Sequence, residues 1–144
     1  MSTPPTRADY RHFVPITTRW MDNDVYGHVN NVTYYSYFDT AANLYLIERG
    51  GLDIHQSPVI GVVVESKCNY HAPIAYPDRI DAGLRVDRLG QRAVTYGIAI
   101  FRAGAAEAAA SGHFVHVFVD REARRPTPIP APLREALAAI AAPA

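Results

Sequence analysis

The stretch "RWMDNDVYGHVNNVTYYSYFD", residues 19–39, decides how the rest of the chain must fold. It places two carboxylates, Asp22 and Asp24, one residue apart, and a glycine, a histidine and two asparagines follow them. A run rich in aromatic residues comes next. Such a run is too apolar for a helix that lies on a protein surface. The stretch therefore sets polar groups directly ahead of a helix that is buried.

This helix is predicted over residues 31–49 and is apolar around most of its circumference. One narrow polar stripe interrupts it at spacings of three and four residues, formed by Thr33, Ser36, Thr40 and Asn43. A helix with this pattern is enclosed by the rest of the fold. Asn30 or Asn31 can cap its start, and Arg49 followed by two glycines is typical of a helix end.

The remaining segments have the composition of strands. Residues 10–19 predict a first strand, in which Pro15 belongs at a sheet edge or a bulge. Residues 58–120 are apolar, β-branched or alternating, and short turns at 89–91 and 103–104 divide them. Four strands joined by short turns predict an antiparallel meander. A proline-rich segment, "RRPTPIPAP", and a short terminal helix, "LREALAAIAA", follow.

This order of elements predicts an α+β fold. A single antiparallel sheet hides a helix on all sides only by curling around it, with help from a partner subunit. The prediction is therefore a hotdog fold, a curled antiparallel sheet wrapped around one long buried helix. We expect a single domain over residues 1–144. Its core covers about residues 10–135, with the N-terminal tail and the short C-terminal helix outside that core.

The composition of the chain argues against nucleic acid and membranes as partners. The chain has 144 residues, and its 14 Lys and Arg balance its 14 Asp and Glu. A neutral chain has no electrostatic reason to seek nucleic acid or an anionic membrane, although a local arginine cluster can hold one phosphorylated ligand. No apolar run approaches the roughly 18 residues of a membrane span. The single Cys68, expected as a buried strand residue, and an N-terminus without an apolar signal region predict a cytoplasmic protein.

The block "DNDVYGHVNN", residues 22–31, resembles the D-x-D-x-x-G-H-V-N-N signature of the hotdog-fold acyl-CoA thioesterases, in the group named after 4-hydroxybenzoyl-CoA thioesterase. Two further segments resemble that family: "YHAPIAYPD" at residues 70–78 and "RPTPIP" at residues 125–130. The resemblance covers about residues 10–135. It implies an acyl-CoA thioesterase that forms a homodimer or homotetramer, and we expect pairing through the β-branched strand around Val62 to Val64.

The resemblance assigns the catalytic acid to Asp24, as general base or as nucleophile, and the sequence leaves both roles open. A thioester is a good electrophile, and its thiolate leaving group, with a pKa near the cysteine value of about 8.5, needs little protonation. One carboxylate and one oxyanion site therefore suffice. Main-chain N–H groups at the helix start, Asn31 among them, are predicted to hold the oxyanion. Asp22 is expected to be structural, and His28 either fixes the loop or takes part in catalysis.

Substrate contacts are predicted at two places. Tyr26 and Gly27 lie beside Asp24, and Tyr26 with neighbouring tyrosines can line an acyl pocket. Coenzyme A carries phosphates, and the chain has no glycine-rich loop to bind them. The candidates are therefore arginines at surface turns, principally Arg88, Arg92 and Arg125. Plant acyl-carrier-protein thioesterases carry asparagine at the position of Tyr26, which argues against a carrier-protein substrate.

Other readings remain as alternatives. The acid block partly matches a calcium loop but has Tyr26 and Thr33 where that loop needs ligands. His113 and His116 are expected on opposite faces of one strand, so they do not converge on a metal. We therefore predict neither a metal nor a cofactor. The rival functions are an acyl-carrier-protein thioesterase, a hotdog hydratase or dehydratase, and a noncatalytic acyl-CoA binding protein.

Overall fold

The computed structural model describes residues 3–143, which form one five-stranded antiparallel sheet and two α-helices. The elements in chain order are β1 (His12–Thr17), α1 (Thr33–Gly50), β2 (Val59–Tyr70), β3 (Arg79–Leu89), β4 (Ala93–Arg102), β5 (Ala110–Asp120) and α2 (Ala131–Ala138). The strand order across the sheet is β1-β3-β4-β5-β2. No helix within the described residues is both long enough and apolar enough to cross a membrane.

Helix α1 packs on the concave face of the sheet and begins two residues later than predicted. Its buried side is large and mostly aromatic, formed by Tyr34, Tyr37, Phe38, Ala41, Ala42, Tyr45 and Leu46. The predicted polar stripe lies on the opposite side, where Ser36 and Thr40 are exposed. Gly51 ends the helix with a left-handed φ of 71°, as its glycine predicts. This curled sheet around one helix confirms the α+β hotdog fold.

The predicted meander holds for three strands and is wrong for β2. Strands β3, β4 and β5 pair in sequence, whereas β2 pairs with β5 at the far edge. The connection from β2 to β3, residues 71–78, is too long for a hairpin, and it binds the acid loop instead. The Val29 N–H donates to the Ile74 carbonyl at 2.7 Å. Placing β2 at an edge frees one of its sides for a partner strand.

The two edges of the sheet differ in their protection. Strand β1 is six residues long and carries Pro15, which lies at a sheet edge as predicted. Strand β2 is twelve residues long, and a bulge interrupts its pairing between Val63 and Glu65. Val63 and Val64 expose 45% and 58% of their surface. A long edge strand that exposes apolar residues is a ready template for pairing with another chain.

The chain ends contribute more to packing than the sequence suggested. We expected the C-terminal helix outside the core, but α2 packs against α1, and Leu133 and Leu137 of this helix and Ile140 just after it lie in the main core. The expected N-terminal tail also packs on the sheet, because the Arg7 guanidinium pairs with Asp81 at 3.0 Å and lies over the Phe101 ring. Among the described residues, the hydrophobic core therefore continues past residue 135 at the C-terminal end, whereas at the N-terminal end its first buried residue is Tyr10.

Candidate active site

The acid block folds into a tight hairpin between β1 and α1. Asn23 and Val29 form a bridge, and the Asp24 N–H donates to the His28 carbonyl at 2.9 Å. Gly27 closes the turn with a φ of 86°, a conformation that residues with a side chain rarely adopt. The glycine of the motif is therefore needed for the turn that holds Asp24.

Asp22 is buried beneath this hairpin, with 1% of its surface exposed. Its Oδ2 accepts hydrogen bonds from the Tyr37 hydroxyl at 2.7 Å and the Arg19 N–H at 2.9 Å, and its Oδ1 accepts from the Arg19 guanidinium. Burial acts to raise the pKa of the Asp22 carboxyl, but these hydrogen bonds outweigh it and hold that pKa below its usual value. This carboxylate joins the loop to α1 and has no free path to a substrate.

Asp24 is half-buried and lines an open cavity of about 660 Å3 together with Trp20, Val25, Tyr26 and other loop residues. Its Oδ1 accepts the Tyr26 N–H at 2.9 Å, and its Oδ2 accepts the Asn30 side-chain amide at 3.3 Å. Each oxygen keeps a further lone pair. The carboxylate is thus fixed in direction and still accessible to water or to a thioester.

The start of α1 lies next to this carboxylate. The Asn30 side-chain oxygen accepts the Val32 N–H at 3.0 Å, and its carbonyl accepts the Thr33 N–H at 2.9 Å, so Asn30 caps the turn that leads into α1, while the N-cap position of the helix itself is Val32. The Asn31 side chain is exposed, while its carbonyl accepts the Tyr70 hydroxyl at 2.9 Å. Within residues 3–143 the Asn31 N–H has no acceptor. A free donor therefore remains at the positive end of the helix.

The predicted loop residues divide between two cavities. Asp24, Tyr26 and Gly27 share the cavity described above. His28 and Asn31 line a second one of about 320 Å3, with Tyr34, Tyr70 and His71. Asn30 also lines the Asp24 cavity, where its side chain contacts the carboxylate, and its carbonyl accepts the Thr33 N–H at the start of the helix. In a single chain the acid and the predicted oxyanion donor are neighbours whose cavities open separately.

The predicted arginines lie at the opposite end of the sheet. Arg88 and Arg92 line a third cavity of about 440 Å3, together with Thr95 and Val115. Thr95 and Val115 alternate with core residues, so this cavity is on the face away from α1. The acid loop follows Thr17, which pairs with the start of β3, whereas Arg88 is near its end. At about 3.3 Å per residue, roughly 30 Å separates these ends.

Several residues that shape the site were not singled out in the sequence. Tyr70 holds the helix start, and Trp20, which is 81% exposed, packs edge-on against Tyr76 at 5.9 Å between ring centroids. The Asn23 side chain accepts the Tyr76 N–H at 2.9 Å. Tyr70 and Tyr76 belong to the "YHAPIAYPD" segment that resembles the family. The resemblance of this segment to the family is therefore the sequence feature that could have predicted these contacts.

The two histidines of β5 lie in different environments on opposite faces of the sheet. His113 pairs with Glu65 at 2.7 Å on the outer face, while His116 is buried and shares a 3.0 Å hydrogen bond with the Tyr96 hydroxyl. Burial lowers the pKa of His116 to about 4, so it is neutral near pH 7. Within residues 3–143 there is no group of three or more His, Cys, Asp or Glu side chains arranged to hold a metal ion.

The curled sheet, the buried helix and the acid loop ahead of it define a hotdog protein of the thioesterase-like class. Residues 18–137 match the thioesterase-like superfamily, and the chain belongs to it. No curated protein matches the chain in sequence.

Solved structures agree with this assignment. The PA5185 protein of Pseudomonas aeruginosa PAO1 is 61% identical, with a TM-score of 0.96 over 96% of this chain and 97% of that one. The PA2801 protein of Pseudomonas aeruginosa is 30% identical, with a TM-score of 0.79 over 87% and 96%. Slr0204, a 1,4-dihydroxy-2-naphthoyl-CoA thioesterase from Synechocystis, is similar in fold at 18% identity, with a TM-score of 0.79 over 88% and 94%.

Proposed function

We propose that this protein is an acyl-CoA thioesterase that hydrolyses a thioester to a free acid and the CoA thiol. One observation carries the proposal: the Asn30 side chain contacts both the Asp24 carboxylate and the Val32 N–H at the start of α1. A base or nucleophile is thereby placed beside the end of a helix where negative charge is stabilised. Thioester hydrolysis needs these two features and no metal or cofactor.

We propose two routes for the reaction at this site. Asp24 either removes a proton from a water molecule, whose oxygen then bonds to the thioester carbon, or attacks that carbon directly and is released by water afterwards. In both routes the carbonyl oxygen becomes negative and is held by the free Asn31 N–H at the helix start. The carbon–sulfur bond then breaks, and the thiolate leaves and takes up a proton.

Coenzyme A is proposed as the thiol half of the substrate. Slr0204, which is similar to this chain in fold, is a thioesterase for a CoA ester, 1,4-dihydroxy-2-naphthoyl-CoA. Arg88 and Arg92 flank a cavity that can receive phosphate groups, and Arg125 lies in the loop after β5 at the same end of the sheet. Because these arginines are far from Asp24 of their own chain, one protomer cannot supply both ends of the binding site.

A homodimer resolves this separation. We propose that two β2 strands pair antiparallel around Val63 and Val64, which are exposed apolar residues of the unprotected edge. A two-fold axis near the middle of β2 reverses the partner. The partner's arginine-bearing end then lies beside the Tyr70 end of β2, next to the cavity of His28 and Asn31. A homotetramer is a further assembly of such dimers.

Release of free thiol from a panel of acyl-CoA esters tests the proposal. We expect turnover of at least one ester class, followed with a thiol reagent, and no dependence on added metal. A hydratase would instead change an enoyl-CoA without releasing thiol. A noncatalytic binding protein would bind acyl-CoA, measured by calorimetry, and release none. Preference for the same acyl group on a carrier protein would favour the carrier-protein alternative.

A further inference from the structure

A continuous chain of hydrogen bonds runs from the edge strand to the candidate catalytic carboxylate. The Tyr70 hydroxyl of β2 donates to the Asn31 carbonyl, and the N–H of the same peptide group, that of Val32, donates to the Asn30 side-chain oxygen. The Asn30 amide then donates to Asp24 Oδ2. One asparagine side chain thus connects the start of α1 with the acid.

The orientation of the Asn30 side chain is forced by its two partners. A main-chain N–H can only donate, so the oxygen of the amide must face Val32. An ionised carboxylate can only accept, so the NH2 group must face Asp24. The remaining hydrogen bond of Asp24, from the Tyr26 N–H, fixes its other oxygen. The carboxylate therefore has one rotational setting relative to the helix end.

We propose that Asn30 is the positioning residue of the reaction: its amide sets the angle between the Asp24 carboxylate and the oxyanion site at the start of α1. The inference rests on the function proposed above. Asn30 lines the same cavity as Asp24, and in this role it acts through the carboxylate and makes no bond to the reacting atoms. Displacement of a reacting group by about 1 Å can cost about 100-fold in rate, so loss of the amide donor lowers kcat much more than it changes KM.

A simple capping role makes a different prediction. Aspartate is as good a helix cap as asparagine. The Asn30→Asp variant therefore keeps the acceptor for the Val32 N–H and loses only the donor to Asp24. It also puts a second carboxylate within hydrogen-bond distance of the first, and two such groups do not both ionise at the usual pH. A capping role predicts unchanged activity, whereas a positioning role predicts a slow enzyme with an altered pH profile.

The surroundings of Asp24 allow the pH profile to be interpreted. The other charged or titratable groups near it are Arg19 and Asp22 behind the loop, Tyr26 and His28 in the hairpin, and Tyr76 from the connection after β2. All of these groups are present in wild type and in the Asn30→Asp variant. A difference between the acidic limbs of wild type and Asn30→Asp therefore comes from the new carboxylate.

The chain offers a matched control. The Asn43 amide donates to Asp39 Oδ1 at 2.9 Å on the exposed side of α1, which is the same pair of groups away from the site. Asn43→Asp makes the same change of charge beside a carboxylate. We expect it to keep the wild-type kcat, KM and pH profile.

The test measures kcat, KM and the pH dependence of kcat/KM for wild type, Asn30→Asp, Asn30→Ser, Asn43→Asp and Asp24→Asn with one acyl-CoA ester. We expect Asn30→Asp to keep the wild-type Tm, to lose about 10- to 100-fold in kcat with KM within about threefold, and to shift its acidic limb to higher pH. Asn30→Ser keeps a cap oxygen without the charge, so it loses kcat without the shift. If Asn30→Asp does not fold, Asn30→Ser carries the test.

Two results would overturn the inference. A folded Asn30→Asp or Asn30→Ser protein with wild-type kcat would show that the amide does not position the acid. An Asn43→Asp protein that loses as much activity as Asn30→Asp would show the same. If Asp24→Asn is inactive in either case, the proposed function stands and this inference alone fails. If wild type releases no thiol, or Asp24→Asn retains its turnover, both are overturned.

Discussion

The Asp22→Asn variant is expected to unfold more easily than wild type and to leave the chemistry largely intact. Asparagine can place its oxygen where Oδ2 lies and keep the hydrogen bonds from Tyr37 and the Arg19 N–H. Hydrogen bonds to charged groups contribute about 1.5–3 kcal/mol, and those between neutral groups about 0.5–1.5 kcal/mol. Each of the two bonds therefore loses about 1 kcal/mol when its acceptor becomes neutral. The half-exposed Arg19 guanidinium loses its ion pair, worth at most about 1 kcal/mol. The sum is about 2–3 kcal/mol of unfolding free energy.

Urea unfolding followed by far-UV circular dichroism at a fixed protomer concentration measures this loss, because the stability of an oligomer depends on concentration. At roughly 3 °C per kcal/mol for a domain of this size, Tm should fall by about 6–9 °C. Asp39→Asn, an exposed aspartate on α1, is the control and should stay within about 0.5 kcal/mol of wild type.

The deficit of Asp22→Asn also has a defined pH dependence. The folded-state pKa of Asp22 lies below the unfolded value, so its contribution is complete above that unfolded value, about 3.9, and is lost as the pH falls through the folded pKa. Wild type and variant should therefore differ by a constant amount from about pH 5 to 8 and converge in stronger acid. Equal stability at pH 7, or an undiminished difference at the acid end, would refute the account of this buried carboxylate.

The remaining predictions concern assembly and binding of CoA. Val64→Lys puts a charge on the exposed part of β2, so light scattering should show a shift from dimer or tetramer to monomer, with loss of activity. A stable and active wild-type monomer at micromolar concentration would contradict the dimer. Arg88→Ala, Arg92→Ala or Arg125→Ala should raise KM for CoA esters, more at low salt, with little change in kcat or in hydrolysis of a pantetheine thioester. Wild-type KM in all three variants would place the nucleotide elsewhere.

Local features of the fold were predictable because they depend on neighbouring residues. The apolar circumference of residues 31–49 predicted the buried helix, and Gly51 marked its end. The packing of α2 was not predicted, although Leu133 and Leu137 are spaced as on one helix face. The partner of β2 was not predicted either, because spacing along the chain reports hairpins and not the pairing of distant strands.

The same distinction applies to the candidate site. The motif brought Asp24, Tyr26 and Gly27 into one cavity, since a short hairpin places its own residues together. The separation of Arg88 from this loop depends on the direction in which β3 leaves it, which requires the sheet topology. The contact of Asn30 with Asp24 depends on how one side chain turns within a loop, and residue types alone do not specify that direction.

The most direct test of the account is the turnover number of Asp24→Asn with an acyl-CoA ester that wild type hydrolyses. A positioned acid or base contributes about 100- to 10,000-fold, so we expect kcat to fall by that factor while the circular dichroism spectrum and Tm stay close to wild type. Asp22→Asn, assayed at a temperature where it is folded, should retain most of its kcat. A well-folded Asp24→Asn protein with near-normal kcat would contradict the central claim that this carboxylate performs the hydrolysis.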